Sequence, residues 1–166
     1  MDLENQYQKE TYLSVLIASL EKKGELLVQL LELSKQQETL IKSDRIDDEA
    51  FDKVIDEKDQ RIKMILKLDE GFDKIYANIK DELTVNQSRY TKEIQKLKAL
   101  ITEVTDLGVQ LQVIEKQNKT RMETYFQTKR KEIKNFKLSS QTATSYYKNM
   151  TDQHQQQQTY FFDKKK

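Results

Sequence analysis

No proline, tryptophan or cysteine occurs in this chain, and glycine occurs only three times. Proline and glycine are the residues that most strongly break helices, so little in the backbone forces an interruption. Without cysteine there is no disulfide framework, and no thiolate to serve as nucleophile or metal ligand. Histidine occurs once, as His154 beside a glutamine run, with no acid or nucleophile partner fixed beside it by a helix. It reads as a solvated side chain. Long apolar runs are missing too. The most apolar stretch, Tyr12–Leu20, falls far short of the ~20 residues a bilayer requires, so no membrane insertion is expected. The opening "MDLENQYQKE" is acidic and polar, unlike a secretory leader. The expected location is therefore cytoplasmic, and the sequons at Asn86, Asn118 and Asn149 carry no weight. A net charge of +1 argues against a general binder of nucleic acid or membrane surface. No glycine-rich phosphate loop, nucleophile elbow or zinc-binding helix signature is found, so neither an enzyme nor a cofactor is expected.

What is present is charge and period. Charged residues make up 34% and apolar residues 36% of the 166-residue chain, the balance of long helices or coiled coil. Disorder does not account for it, because the apolar residues recur regularly. Steps of four and three give Leu13, Ile17, Leu20, Gly24, Leu27, Leu31, Ser34, Glu38 and Ile41, with Leu16 and Leu30 widening the stripe. A second count gives Phe51, Ile55, Lys58, Ile62, Ile65, Asp69, Phe72, Tyr76, Ile79 and Leu83, keeping phase across Gly71. A third gives Tyr90, Ile94, Leu97, Ile101, Val104, Gly108 and Leu111. It then slips by one residue through Ile114, Asn118, Met122, Tyr125 and Phe126. Stripes this wide suit a bundle. The expected fold is all-α: long antiparallel helices in a helical hairpin or three-helix bundle, with coiled-coil-like packing and a mobile C-terminal tail. The bundle domain spans residues 1–138, with helices over about 8–42, 48–83 and 88–136. Residues 139–166 form a polar, aromatic-containing flexible tail or short helix.

The stretch "KSDRIDDEAF" between the first two stripes is dense in acids and invites a metal reading. A calcium loop needs glycine at its sixth position and glutamate at its twelfth, and "DRIDDEAFDKVI" has alanine and isoleucine there. As a helix start it fits well. Asp47 suits the N-cap, and Ile46 and Phe51 stand where a hydrophobic staple forms. Asp48 and Glu49 face the positive end of the helix dipole. No metal is expected. At the other turn, Asn86 or Ser88 could cap the third helix.

Charge is uneven along the chain. Residues 44–59 hold eight acids against three bases, and residues 116–137 hold eight bases against two acids. If the second and third helices fold back about Asn86, residue 48 lies opposite a position near 124. The acidic start then faces the basic end and favours the antiparallel register. The basic stretch "KTRMETYFQTKRKEIKNFK" mixes aromatics with cations, as single-strand binders do. A basic helix end answering an acidic neighbour explains it without nucleic acid.

The stretch "LLVQLLELSKQQETLIKSDRIDDEAFDKVIDEKDQRIKMILKLDE", Leu26–Glu70, resembles the FlgN type of flagellar export chaperone. It carries Leu-rich turns, a Gln37-to-Ile41 step, a short corner at Lys42–Asp44, an acidic helix start and a run ending at Leu66 and Leu68. A looser echo lies in "VIEKQNKTRMETYF", Val113–Phe126. The family usually breaks after its second helix at a Leu–Gly step, whereas this chain carries its heptad past Gly71. The resemblance implies a cytosolic chaperone for late export substrates such as the hook–filament junction proteins. Contact with the export apparatus and a homodimer stay open. It also places cargo binding toward the C-terminal part of the chain. Here that points to Met122, Tyr125 and Phe126, which fit bundle core equally well, and to the tail residues Tyr146, Tyr147, Met150, Tyr160, Phe161 and Phe162. The other reading is a structural coiled-coil adaptor, stalk or scaffold protein of the export machinery. A stalk would keep its heptad to the end, and this one fades after Phe136.

Overall fold

The computed structural model describes residues 3–129 together with Ser145, Tyr146 and Lys148. Three helices of nearly equal length account for almost all of them: α1 Leu3–Ile41, α2 Asp48–Val85 and α3 Thr91–Lys129. Among the described residues there is no strand. The chain is an all-helical bundle running up, down and up. Pairs between α1 and α2 run in opposite directions (Lys9 with Glu82, Lys23 with Asp69, Gln37 with Lys58). Those between α1 and α3 run in parallel (Ser34 with Asn118, Glu38 with Arg121). Helix α1 packs against both neighbours, and the α2 and α3 backbones stand further apart than either stands from α1.

The stripes turn inward as their spacing predicts. Leu13, Leu20, Leu27, Ile65, Ile79, Leu97, Ile101, Val104 and Leu111 are buried in one long apolar cluster, with Leu16 and Leu30 filling its width. Helix α2 runs unbroken through Gly71. The slip expected after Leu111 does not occur. The heptad continues through Glu115, 2% exposed, then Asn118 and Met122. The apolar count passed over Glu115 because it is charged, but helix geometry keeps its phase whatever the side chain is. Helix α1 starts at Leu3 rather than near residue 8, since nothing in "LENQYQKE" breaks it. Gln6 accepts from Arg89, and Lys9 pairs with Glu82 at 3.1 Å, tying that turn down. The expected end of the third helix near residue 136 and most of the tail lie outside the described residues.

The two turns differ. At the first, Asp47 caps α2, its carboxylate accepting from the Ala50 N–H at 3.2 Å. Ile46 and Phe51 are buried together as the staple requires. At the second, a 3-10 turn over Gln87–Tyr90 runs directly into α3. Neither Asn86 nor Ser88 supplies a side-chain cap, because the chain ahead of Thr91 is already helical and offers its own carbonyls. Instead Asn86 Nδ2 donates to Glu82 Oε1 at 2.9 Å, and the Tyr90 hydroxyl donates to the same oxygen at 3.1 Å. The Lys9 ammonium, hydrogen-bonded to Glu82, holds that carboxyl below the usual glutamate range, with help from Asn86 and Tyr90.

Candidate functional site

The interior is not continuously apolar. Polar residues interrupt the buried stripes at several points, and five of them fall together: Ser34 and Gln37 on α1, Lys58 on α2, Glu115 and Asn118 on α3. All five are buried, and all five sit at one level of the bundle. Lys58 Nζ donates to Glu115 Oε1 and, at 2.6 Å, to Gln37 Oε1. The Ser34 hydroxyl donates to the same Glu115 oxygen, and Asn118 Nδ2 donates to the Ser34 carbonyl at 2.9 Å. Arg121 then links Asn118 Oδ1 to Glu38 at the surface. Two long side chains bridge α2 and α3 where their backbones stand apart. Burial pushes the Lys58 ammonium below the ordinary lysine range, with the Glu115 carboxylate pulling the other way. A lysine so depressed can mark an amine nucleophile. Lys58, however, is 3% exposed and engaged by two acceptors, so its use here is structural.

Below this layer lies a second, smaller apolar cluster at the corner end. Ile41 and Ile46 from the α1–α2 corner, Phe51 from α2, and Met122 and Phe126 from α3 are buried there, flanked by Leu40, Ile55 and Tyr125. The Tyr125 and Phe126 rings meet edge to face, centroids 5.4 Å apart. The Ile46 N–H donates to the Tyr125 hydroxyl at 3.4 Å. Of the expected partner-binding residues, Met122, Tyr125 and Phe126 therefore come together in this small core.

Tyr146 is elsewhere. It is half-buried against the main cluster, its hydroxyl donating to Asp69 Oδ2 at 3.4 Å. Asp69 Oδ1 receives the buried Lys23 ammonium at 2.6 Å. Burial pushes the Tyr146 phenol well above the ordinary tyrosine range, and the Asp69 charge adds to the effect. Burial likewise lowers Lys23, opposed by Asp69. Tyr147, Met150, Tyr160, Phe161, Phe162 and His154 lie outside the described residues.

The acidic start of α2 and the basic end of α3 do lie side by side. Lys58 opposite Glu115 is the register expected from a fold about Asn86. Among the described residues, however, no ion pair joins the acids of 44–59 to the bases of 116–129. The bridge across that seam has the opposite sense, a base on α2 and an acid on α3. Arg121 turns instead to Glu38 of α1. Among the described residues there is also no group of three or more acids or histidines placed to hold a metal. None of their helices is long and apolar enough to cross a membrane.

Residues 12–155 match one family, described as FlgN protein. The chain belongs to the FlgN family. FlgN proteins are chaperones of flagellar export, and the match takes in all of α2 and α3 and most of α1. No curated protein and no solved structure matches the chain. The FlgN match includes Met122, Tyr125, Phe126, Tyr146, Tyr147 and Met150, and ends before Tyr160, Phe161 and Phe162. Sequence reasoning missed the polar layer of this FlgN chain, although its members stood on the stripes as exceptions. Exceptions at the same level of three antiparallel helices are one another's partners, and that signal was available.

Proposed function

We propose that this chain is a cytoplasmic flagellar type III export chaperone that holds late substrates, such as hook–filament junction proteins, by their C-terminal helical segments. The family match over residues 12–155 carries the reading. Its physical basis is helix-in-groove recognition. A cargo helix that is disordered alone lays its apolar stripe on aliphatic, Met and aromatic side chains, which supply contact area at modest ordering cost. Met122, Tyr125, Phe126 and the tail residues Tyr146, Tyr147, Met150, Tyr160, Phe161 and Phe162 are the candidates for that surface.

Calorimetric titration of the full chain with junction proteins tests the reading, with a 1–138 truncation beside it. Micromolar or tighter binding by the full chain supports it. Loss on truncation assigns the contact to the C-terminal segment, and retention assigns it to the bundle. Absence of binding by either form leaves a coiled-coil scaffold as the better account.

A further inference from the structure

Tyr146 shows where the chain goes after α3. Lys58 opposite Glu115 sets the register of α2 against α3, so Lys129 at the end of α3 stands level with the corner at Asp44. By Tyr146 the chain has come back to Asp69, near the middle of α2. Ser145, Tyr146 and Lys148 are helical, and Tyr146 packs against the main cluster. The gap beside it is the α2–α3 seam, the wide one of the bundle. The α3 flank that faces this seam is covered well beyond Tyr146. Lys98 and Thr105 lie on it, seven residues apart, on the side of α3 away from Arg121 and its α1 partner. They are 7% and 6% exposed, although the α2 backbone stands off from them. In the same register Thr105 is level with Asp69, and Lys98 lies about two turns further toward the α2–α3 turn. Cover over Lys98 therefore continues past Tyr146, in the direction the chain is already travelling.

We propose that residues 149–162 dock along the α2–α3 seam, onward from Tyr146, and seat Tyr160, Phe161 and Phe162 at the α2–α3 turn. The chain thus covers its own seam. Reach and register agree. Tyr146 and Tyr160 are fourteen positions apart, as are Asp69 and Leu83. A helical segment rising ~1.5 Å per residue beside α2 brings Tyr160 level with Leu83, and with Tyr90 across the seam, both buried in the main cluster. A cavity of about 290 Å³ lies at that place, lined by Gln87, Ser88, Thr91, Ile94, Gln95 and Lys98. Its lining is mostly hydroxyl and amide, with Ile94 as its apolar point. Tyr146, Met150, Gln153, Gln157 and Tyr160 share one helical face. Gln153 and Gln157 then fall level with the stretch from Gln95 to Lys98, where an amide can both donate and accept. The three aromatic residues arrive at the turn. With Tyr146 anchored, the segment meets this seam at a high effective concentration, which favours its own chain over a second copy. The proposal does not rest on the chaperone reading.

The chain has no cysteine, so a single nitroxide attached through Gln158→Cys reports on the docking in the full-length protein. Amide NMR signals of residues 87–98 should lose most of their intensity, while those of 48–58 at the corner end keep theirs. Loss at the corner end, or no loss at 87–98, overturns the proposal. A mixed sample, with the nitroxide on one copy and the isotope label on another, should show no such loss. The same broadening there would assign the contact to a second copy and overturn docking within one chain. Hydrogen exchange gives a second readout. In the full-length variant Tyr160→Ala/Phe161→Ala/Phe162→Ala, amides of 87–98 should exchange about tenfold faster, with those of 48–58 unchanged. Unaltered exchange at 87–98 overturns the seat of the aromatic residues at the turn. If that variant fails to fold, the nitroxide profile still decides.

Discussion

Glu115→Gln is the most informative single change in this bundle. It keeps the shape of the side chain and an oxygen to accept from Lys58 and Ser34, and removes only the charge. The Lys58 ammonium, 3% exposed, is left with neutral acceptors alone. Breaking a buried ion pair in this way costs ~3–5 kcal/mol. A ceiling follows independently, because Lys58 can instead give up its proton. From an unperturbed pKa of ~10.4 to pH 7, at ~1.36 kcal/mol per unit, neutralisation costs about 4.6 kcal/mol. The two routes agree on a loss of about 3–4.5 kcal/mol at pH 7, a large share of the ~5–15 kcal/mol that holds a domain folded. The sign of the pH dependence is fixed as well. Burial already lowers Lys58, and the variant takes away the Glu115 charge, the strongest of the influences that hold it up, leaving the weaker pull of Asp59. In the variant the unfolded chain then binds more protons than the folded one from neutral pH up to the ordinary lysine pKa, so stability rises with pH. By pH 10 the deficit against wild type should shrink below about 1 kcal/mol. Urea unfolding followed by far-UV circular dichroism at pH 7 and pH 10 measures both quantities. A loss under about 1 kcal/mol at pH 7, or a deficit that does not shrink, would refute the reasoning. Lys58→Met/Glu115→Gln, which removes both charges, should recover most of the loss.

Other substitutions probe the frame. An added Cβ at Gly71 meets nothing within 4 Å, so Gly71→Ala should raise the urea midpoint by an amount worth about 0.5–1 kcal/mol; an unchanged midpoint would mean α2 is not regular there. Asp47→Ala removes the α2 cap and should cost about 1 kcal/mol, while Asp47→Asn should cost little, as the same unfolding experiment will show. Tyr146 provides a check at high pH. Its folded pKa is raised, so above about pH 10 the unfolded phenol ionises while the folded one does not, and stability falls as pH rises. Tyr146→Phe should remove that part of the alkaline loss between pH 9 and pH 11. An identical slope would mean the phenol is not buried in solution.

The helices and their inward faces could be read from spacing alone, because the heptad at Leu13, Leu20, Leu27 or Ile94, Leu97, Ile101 follows from helix geometry. The Asp47 corner could be read too, since capping and stapling are local and need only adjacent residues. The polar layer was harder. Ser34, Lys58 and Asn118 were each visible as interruptions, but their pairing depends on residues up to 84 positions apart. Counting apolar residues also steered the third stripe off Glu115. The placement of Tyr146 against Asp69 was beyond any local rule, as the two are 77 residues apart and no spacing connects them.

The parallel pairing of α1 with α3 bears on how the chain assembles. A chain emerging from the ribosome offers α1 and α2 first, and these can close as a hairpin through one short corner. The α1–α3 seam must wait for the last helix, closing a loop as long as the whole of α2 and more, which is entropically slower. Until then the exposed side of the hairpin shows water not only leucines but also Lys58, Ser34 and Gln37, at one level. Glu115 arrives on the helix that covers them. The act that takes the ammonium out of water thus delivers its counter-charge in the same step, and no half-built state has to bury a lone cation.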